Sequence, residues 1–372
     1  MRIALIVLMG IHGIIHLFGF LKAFGFSEFN AISSPISKTS GAIWLLTAFL
    51  FGITVFLLIL QSYYWWISGF LAVIISQFLI FNYWSDAKFG TIANLIILAA
   101  VVIAFATIGF QKKVTQEQIA LFEASRLGGK VVTEASIDGL PAIVQKWLIH
   151  SGVVGKKPIS NVHVVQELQL KLKRDQKTWN DGSAEQYFTV HPPAFVWNIN
   201  TEMNSALSVV GRDKFVNGQG AMTIKLLSLI TVANANKSEK VNQATLQRFL
   251  AEMVWFPTAS LSNYITWEPV DENSAKATME VNGTKGHGIF HFDDTGNFLK
   301  FTANRYKDEK DEAPTLWTVS ALKTEEINGI KIPVELQADW QLDDGKWTWL
   351  KLTIKEIDYN LNKFPRDGKG HD

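Results

Sequence analysis

Two consecutive runs decide the fold: Ala42–Leu60, AIWLLTAFLFGITVFLLIL, and Tyr63–Phe81, YYWWISGFLAVIISQFLIF. No Asp, Glu, Lys or Arg occurs between Thr39 and Ser85. A helix rises about 1.5 Å per residue, so roughly 20 apolar residues match a hydrocarbon core of about 30 Å. Outward from this pair, Ile3–Leu21 and Thr91–Phe110 have the same character. Four transmembrane helices are therefore expected. Arg2 ahead of the first run resembles a signal-peptide start, but no small-x-small cleavage site follows, so the run reads as a retained span. Tyr63, Tyr64, Trp65 and Trp66 follow the Gln61-Ser62 turn and, with Trp44 and Trp84, suit the headgroup level. Asp86 and Lys88 belong at an interface, since each costs about 2.5–3.5 kcal/mol at the bilayer centre. Arg2, Lys112, Lys113 and Arg126 lie on one side, and Lys22, Lys38 and Lys88 on the other. That asymmetry gives a slight preference for a cytoplasmic C-terminal part and leaves the side open.

The rest of the 372-residue chain is of another kind. Residues 111–372 carry nearly all the charge and are long enough for a substantial core. The net charge of +1 gives no sign of a nucleic-acid partner. The absence of cysteine excludes disulfides and thiolate chemistry. Residues 111–158 read as a helical connector, with one helix from Thr115 to about Leu127 and a second after Pro141. From Ser160 the hydrophobic period becomes two: Val162, Val164, Leu168, Leu170 and Leu172 share one face. Strands follow near Glu185–Val190, Phe195–Asn200 and Leu207–Val216, and Met222–Ala233 is ambiguous but leans to strand. A helix at about Asn242–Val254 interrupts them, with Leu246, Phe249, Leu250 and Met253 as its apolar stripe. Thereafter Asn282-Gly283, Asn328-Gly329 and Asp343-Asp344-Gly345 punctuate a run of hairpins.

So many hairpins with so few helices imply one large antiparallel sheet, which at that size tends to curl. The expected fold is an N-terminal four-helix transmembrane bundle (1–110), the connector (111–158) and an α+β soluble domain (159–372). That domain is a large curved antiparallel sheet, a half-barrel, with one or two covering helices. Its concave face would suit an apolar ligand, or its many tryptophans would fill an ordinary core.

Signatures of nucleotide, zinc-protease and nucleophile-elbow sites are missing, and no residue set specifies a reaction or a cofactor. Four candidate sets remain. Arg248 and Glu252, four apart on a helix, read as a buried pair facing the sheet or as a solvated one. Trp255, Phe256 and Pro257 read as a short helix, a rim or a lid, with Arg248 orienting a polar head. Arg212 and Asp213 on a strand would join Arg248 and Glu252 if the protein were an enzyme on a membrane or envelope substrate. His12 and His16, four apart in the first span, share a helix face. They read as a metal, haem or proton site, or as neutral interhelical hydrogen-bonders. The remaining polar residues in or near the spans, Ser76, Gln77, Asn82 and Asn94, read as packing glue rather than a transport path.

The segments Pro193-Ala194-Phe195-Val196-Trp197, Gly211-Arg212-Asp213, Arg248-Phe249-Leu250-Ala251-Glu252 and Trp255-Phe256-Pro257-Thr258-Ala259 resemble an uncharacterised group of bacterial membrane-anchored proteins. The likeness covers most of residues 135–360, and Ser76-Gln77-Phe78-Leu79-Ile80 resembles the four-span members. It carries over no catalytic residue. The layout of the C-terminal part is also distantly similar to the lipoprotein-carrier half-barrels. The resemblance implies a multi-pass protein of the bacterial cytoplasmic (inner) membrane, whose partners are the lipid bilayer and a lipid-like small molecule. The expected function is a membrane-anchored binding module, in envelope lipid or lipoprotein handling.

Overall fold

The computed structural model describes residues 2–26, 32–204, 207–236 and 238–365. Part of the loop expected at Leu21–Gly41 and the end of the polar tail after Asn360 lie outside the described residues. The chain divides into two compact units, 1–112 and 113–372.

The first unit is helical: α1 (Arg2–Ala23), α2 (Lys38–Ile59), α3 (Trp65–Asn82), the single turn α4 (Trp84–Ala87) and the start of α5 (Gly90–Ala124). Four of these helices are long and apolar enough to cross a membrane. Ser37 caps α2, its Oγ accepting from Ser40 N at 3.1 Å. Met9, Phe51, Leu58, Val73 and Val101 pack inward, while Ile3, Phe49, Phe81, Phe89 and Leu95 point out, more than half exposed. Apolar residues thus lie on both faces, which suits an apolar solvent. Gly19 allows close packing: a Cβ there would lie 2.3 Å from the Trp44 ring. Trp44 is buried against His16, with ring centroids 5.0 Å apart.

A break was expected near Gln111–Lys113, yet α5 runs through it to Ala124. Gln and Lys are good helix formers, and no proline or glycine stands between Gly109 and Gly128. Charge marks where apolar sequence stops; it does not stop a helix.

In the second unit α6 (Glu134–Ile137) and α7 (Ala142–His150) precede the sheet. Strands β1 (Asn161–Leu170), β2 (Asn180–Thr189), β3 (Ala194–Asn204), β4 (Leu207–Val216), β5 (Gln219–Leu226) and β6 (Ile230–Asn236) come first. The ambiguous stretch Met222–Ala233 is a hairpin, split where Leu227 and Ser228 take positive φ of 51° and 59°. Then come α8 (Glu239–Glu252), two short 3-10 turns (Met253–Trp255 and Pro257–Leu261), and β7 (Ile265–Asp271), β8 (Ser274–Val281) and β9 (Thr284–Phe292). The chain closes with β10 (Phe298–Arg305), β11 (Thr315–Ile327), β12 (Ile330–Leu342) and β13 (Gly345–Tyr359).

The described strands all pair antiparallel in one 13-stranded sheet of order β6-β5-β4-β3-β2-β1-β13-β12-β11-β10-β9-β8-β7. Two meanders are therefore joined where β1 meets β13, with Leu168 opposite Leu352. The edges β6 and β7 are not paired with each other, so the sheet stays open. Because β6 and β7 are opposite edges, the segment joining them must cross the sheet. α8 does so, packing on β4, β5 and β6 and also on β8, β9 and β10, which bends the sheet around it. Asn242 Oδ1 accepts from Gly220 N at 2.8 Å, and Gln243 Nε2 donates to Lys285 O at 3.1 Å. The tips of two hairpins also meet, Thr284 Oγ1 donating to Gly218 O at 2.7 Å.

Phe188, Phe195, Phe215, Phe249 and Phe256 form the centre of the core, each no more than 1 % exposed. Burying such a ring stabilises the fold by about 1.5–3 kcal/mol.

Candidate functional site

The interior face of the sheet changes character along its strands. One end is the closed aromatic core. Toward the other end Trp197, Val319, Ala321, Trp347, Trp349 and Leu352 are only partly buried. Between the two lies a layer of charge.

Arg248 is at its centre. Its Nε donates to Glu252 Oε1 at 2.8 Å and its Nη1 to Asp213 Oδ2 at 2.7 Å. Its guanidinium stacks over Trp197 at 4.6 Å and Phe195 at 5.1 Å. The second oxygen of Glu252 accepts from Gln186 Nε2 at 2.8 Å. Gln186 Oε1 accepts from Gln166 at 3.4 Å, and Gln166 Oε1 accepts from Trp197 Nε1 at 3.0 Å. A ring of contacts returns to the residue on which Arg248 lies. Gln166 reaches this face just after the irregularity between Val165 and Gln166. Burial works against the charge on Arg248, but Glu252 and Asp213 outweigh it and raise its pKa. Burial raises the pKa of Glu252 against the pull of Arg248. Both carboxylates are bridged by one guanidinium, so the cluster acts as a fixed electrostatic element.

Of the four residues grouped on sequence, three converge and Arg212 does not. Neighbours on a strand face opposite ways. Arg212 therefore points to the other side, with Nε 3.3 Å from Glu117 Oε2 and Nη1 donating to Ala221 O at 3.1 Å. Glu117 also takes Lys214 Nζ at 2.9 Å.

Trp255, Phe256 and Pro257 are buried in the core. Trp255 Nε1 donates to Pro333 O at 3.1 Å, and Tyr359 Oη donates to Trp255 O at 2.8 Å. They hold the end of α8 that carries Glu252.

Sequence reading missed Arg305. It ends β10, where Phe301, Ala303 and Arg305 alternate onto the inner face. Its Nε donates to Ala244 O of α8 at 2.9 Å, and its guanidinium lies 4.7 Å from the Trp317 ring and 5.8 Å from Trp340. Among the described residues no carboxylate lies within ion-pair distance of it. The parity of β10 was the available signal, since a charge at an inward position is costly unless used.

In the helical unit His12 Nε2 lies 3.0 Å from Asn94 Oδ1 and 3.2 Å from Ser76 Oγ. Asn94 Nδ2 donates to Gln77 Oε1 at 3.0 Å, and Gln77 Nε2 to Thr91 Oγ1 at 3.2 Å. His16 Nδ1 bonds His12 O at 2.8 Å. The two histidines thus lie at the root of a network linking α1, α3 and α5. Among the described residues no three His, Asp or Glu side chains converge as metal ligands.

No curated protein matches the chain. Among solved structures it is similar to a DUF1329 family protein from Desulfovibrio piger, at 12% identity and TM-score 0.35, over 63% of this chain and 96% of that one. It is also similar to a LolA superfamily protein from Nitrosomonas europaea, at 11% identity and TM-score 0.29, over 60% of this chain and 94% of that one. A beta-barrel-like protein of the domain of unknown function DUF1849 from Brucella abortus matches at 11% identity and TM-score 0.21, over 55% of this chain and 99% of that one. The family model of DUF6920, a family of unknown function, matches residues 138–359, more than half of the sequence, and the chain belongs to that family.

Proposed function

We propose that this protein is a membrane-anchored binding module that takes an apolar or lipid-like molecule on the interior face of a half-barrel sheet. Its role would be in handling envelope lipids or lipoproteins. The bundle of residues 1–110 is the anchor in the bacterial inner membrane, 111–158 the connector and 159–372 the binding domain.

One observation carries the reading. The inner face of an open sheet keeps Trp197, Trp347, Trp349 and Leu352 only partly covered, next to a layer of buried charge. A core built for stability alone gains by covering such rings, each worth about 1.5–3 kcal/mol when fully buried. Apolar walls with a few placed polar groups are the usual make-up of a small-molecule site. In this reading Arg248, held by Asp213 and Glu252, is the polar station of the groove. Trp255, Phe256 and Pro257 fix the end of α8 on which it depends, and Arg212 ties the outer face to Glu117.

Two measurements test this. Membranes washed with alkaline carbonate should keep the chain; release of the intact chain would remove the anchor. The chain purified in a mild nonionic detergent should retain lipid detectable by mass spectrometry, and Trp349→Asp should lower the amount. Equal lipid on the native chain and the variant, or none on either, would overturn the binding module.

A further inference from the structure

We infer that Arg305 and the indole N–H groups beside it form a subsite for an oxyanion, the charged head of the apolar molecule proposed above. The inference rests on that reading and adds the chemistry of the head.

The argument is a count of donors. Arg305 spends Nε on Ala244 O, and its two Nη groups meet no acceptor among the described residues. A guanidinium cannot discard its charge, so its unmet N–H groups call for acceptors. Burial lowers its pKa to about 10, still charged at neutral pH; Asp213 and Glu252 act on it from a distance. Trp317, Trp347 and Trp349 each have a buried Nε1 without a partner among the described residues. Trp317 is itself 5% exposed. Indole N–H is a donor only.

Trp317 is the donor beside Arg305, and Trp347 lies two strands further along the same row. Ala303 stands opposite Trp317, Trp317 opposite Trp340, and Trp340 opposite Trp347, one row across β10, β11, β12 and β13. Arg305 lies against two rings of that row. The irregularity in the β12–β13 pairing next to Ala338 leaves Trp349 as the extra residue beside the row. Unpaired buried polar groups are few in native proteins and each cost free energy. On α8 itself Gln247 Oε1 is a buried acceptor without a partner among the described residues. An excess of donors around a cation is complementary to oxygens of negative charge, either a carboxylate or a phosphate.

Arg248 is not that cation. Both its neighbours are carboxylates, and an anion approaching it would meet them first.

The test uses the full chain in nonionic detergent, offered hexadecanoic acid and its methyl ester at equal concentration, with bound lipid quantified by mass spectrometry. The acid should be preferred roughly tenfold or more, as expected for hydrogen bonds to a charged group. Arg305→Gln should bring acid and ester to within about twofold, and Arg305→Lys should keep part of the preference. Trp317→Phe, which keeps the ring and drops the donor, should lower it without lowering ester binding. Displacement of the acid by millimolar inorganic phosphate would support the oxyanion subsite and assign it to free anions as well as lipid heads. Equal uptake of acid and ester by the native chain would overturn the subsite and leave the binding module standing. Uptake of neither would overturn the binding module and the subsite together.

Discussion

Both compact units bury a polar network, and they build it from opposite materials. In the helices His12, Ser76, Asn94, Gln77 and Thr91 join α1, α3 and α5 through hydrogen bonds between side chains with no obligatory charge. In the sheet Arg248, Asp213 and Glu252 join α8 to β4 through full charges. The surroundings explain the difference. Around the helices large apolar residues face outward, and in the bilayer proposed for them an ion would cost about 2.5–3.5 kcal/mol. The sheet supplies Gln186, Gln166 and a Trp197 face as a second layer to hold the ions. Breaking one partner of such a pair should therefore hurt more than breaking a neutral one.

The largest effect is expected at Arg248. Arg248→Met leaves two carboxylates facing each other and should cost about 3–5 kcal/mol, read as the urea midpoint of tryptophan fluorescence. Replacing Asp213, Arg248 and Glu252 together by Leu, Met and Leu should recover most of that loss. A triple variant as unstable as the single one would show that packing, not charge, governs the layer.

Asn94→Leu in the helical unit should cost about 0.6–1.7 kcal/mol, the range for hydrogen bonds between membrane helices. Unfolding of the bundle in SDS, followed by circular dichroism, measures it. A loss as large as that at Arg248 would erase the contrast between the units.

The pH response should separate them further. Glu252 is raised from 4.5 by burial, so the folded state binds its proton more tightly than the unfolded chain. That contribution is complete below 4.5 and fades as pH rises through the raised value. The native chain should lose stability across this window relative to Glu252→Gln, in urea titrations at successive pH values. Parallel curves would place the shift elsewhere. The smallest effect belongs to the exposed pair Lys276–Glu268 at 3.1 Å, where Lys276→Gln should change stability by no more than about 1 kcal/mol.

Much of the architecture was legible because it follows from local rules. The uncharged runs placed the long helices, and the change of period at Ser160 placed the sheet. Asn-Gly turns at 282–283 and 328–329 fell where positive φ was needed. Boundaries set by competition were less legible. α5 continued past Lys113, and the stretch at 222–233 folded back on itself at Leu227 and Ser228. The site was half legible. The Arg248–Glu252 spacing was readable, but which of Arg212 and Asp213 faced α8 depended on strand parity. Arg305 stayed hidden because its partners, Trp317 and Trp340, lie on other strands.

By itself the sequence determined which part suits an apolar solvent and which part is sheet, since hydropathy and period are properties of neighbouring residues. The tertiary structure alone decided that β1 and β13 pair and that α8 crosses from one edge to the other. It alone decided that Arg248 is neutralised while Arg305 is not. Those outcomes depend on residues tens to hundreds of positions apart meeting in one register, and no local pattern encodes such a meeting.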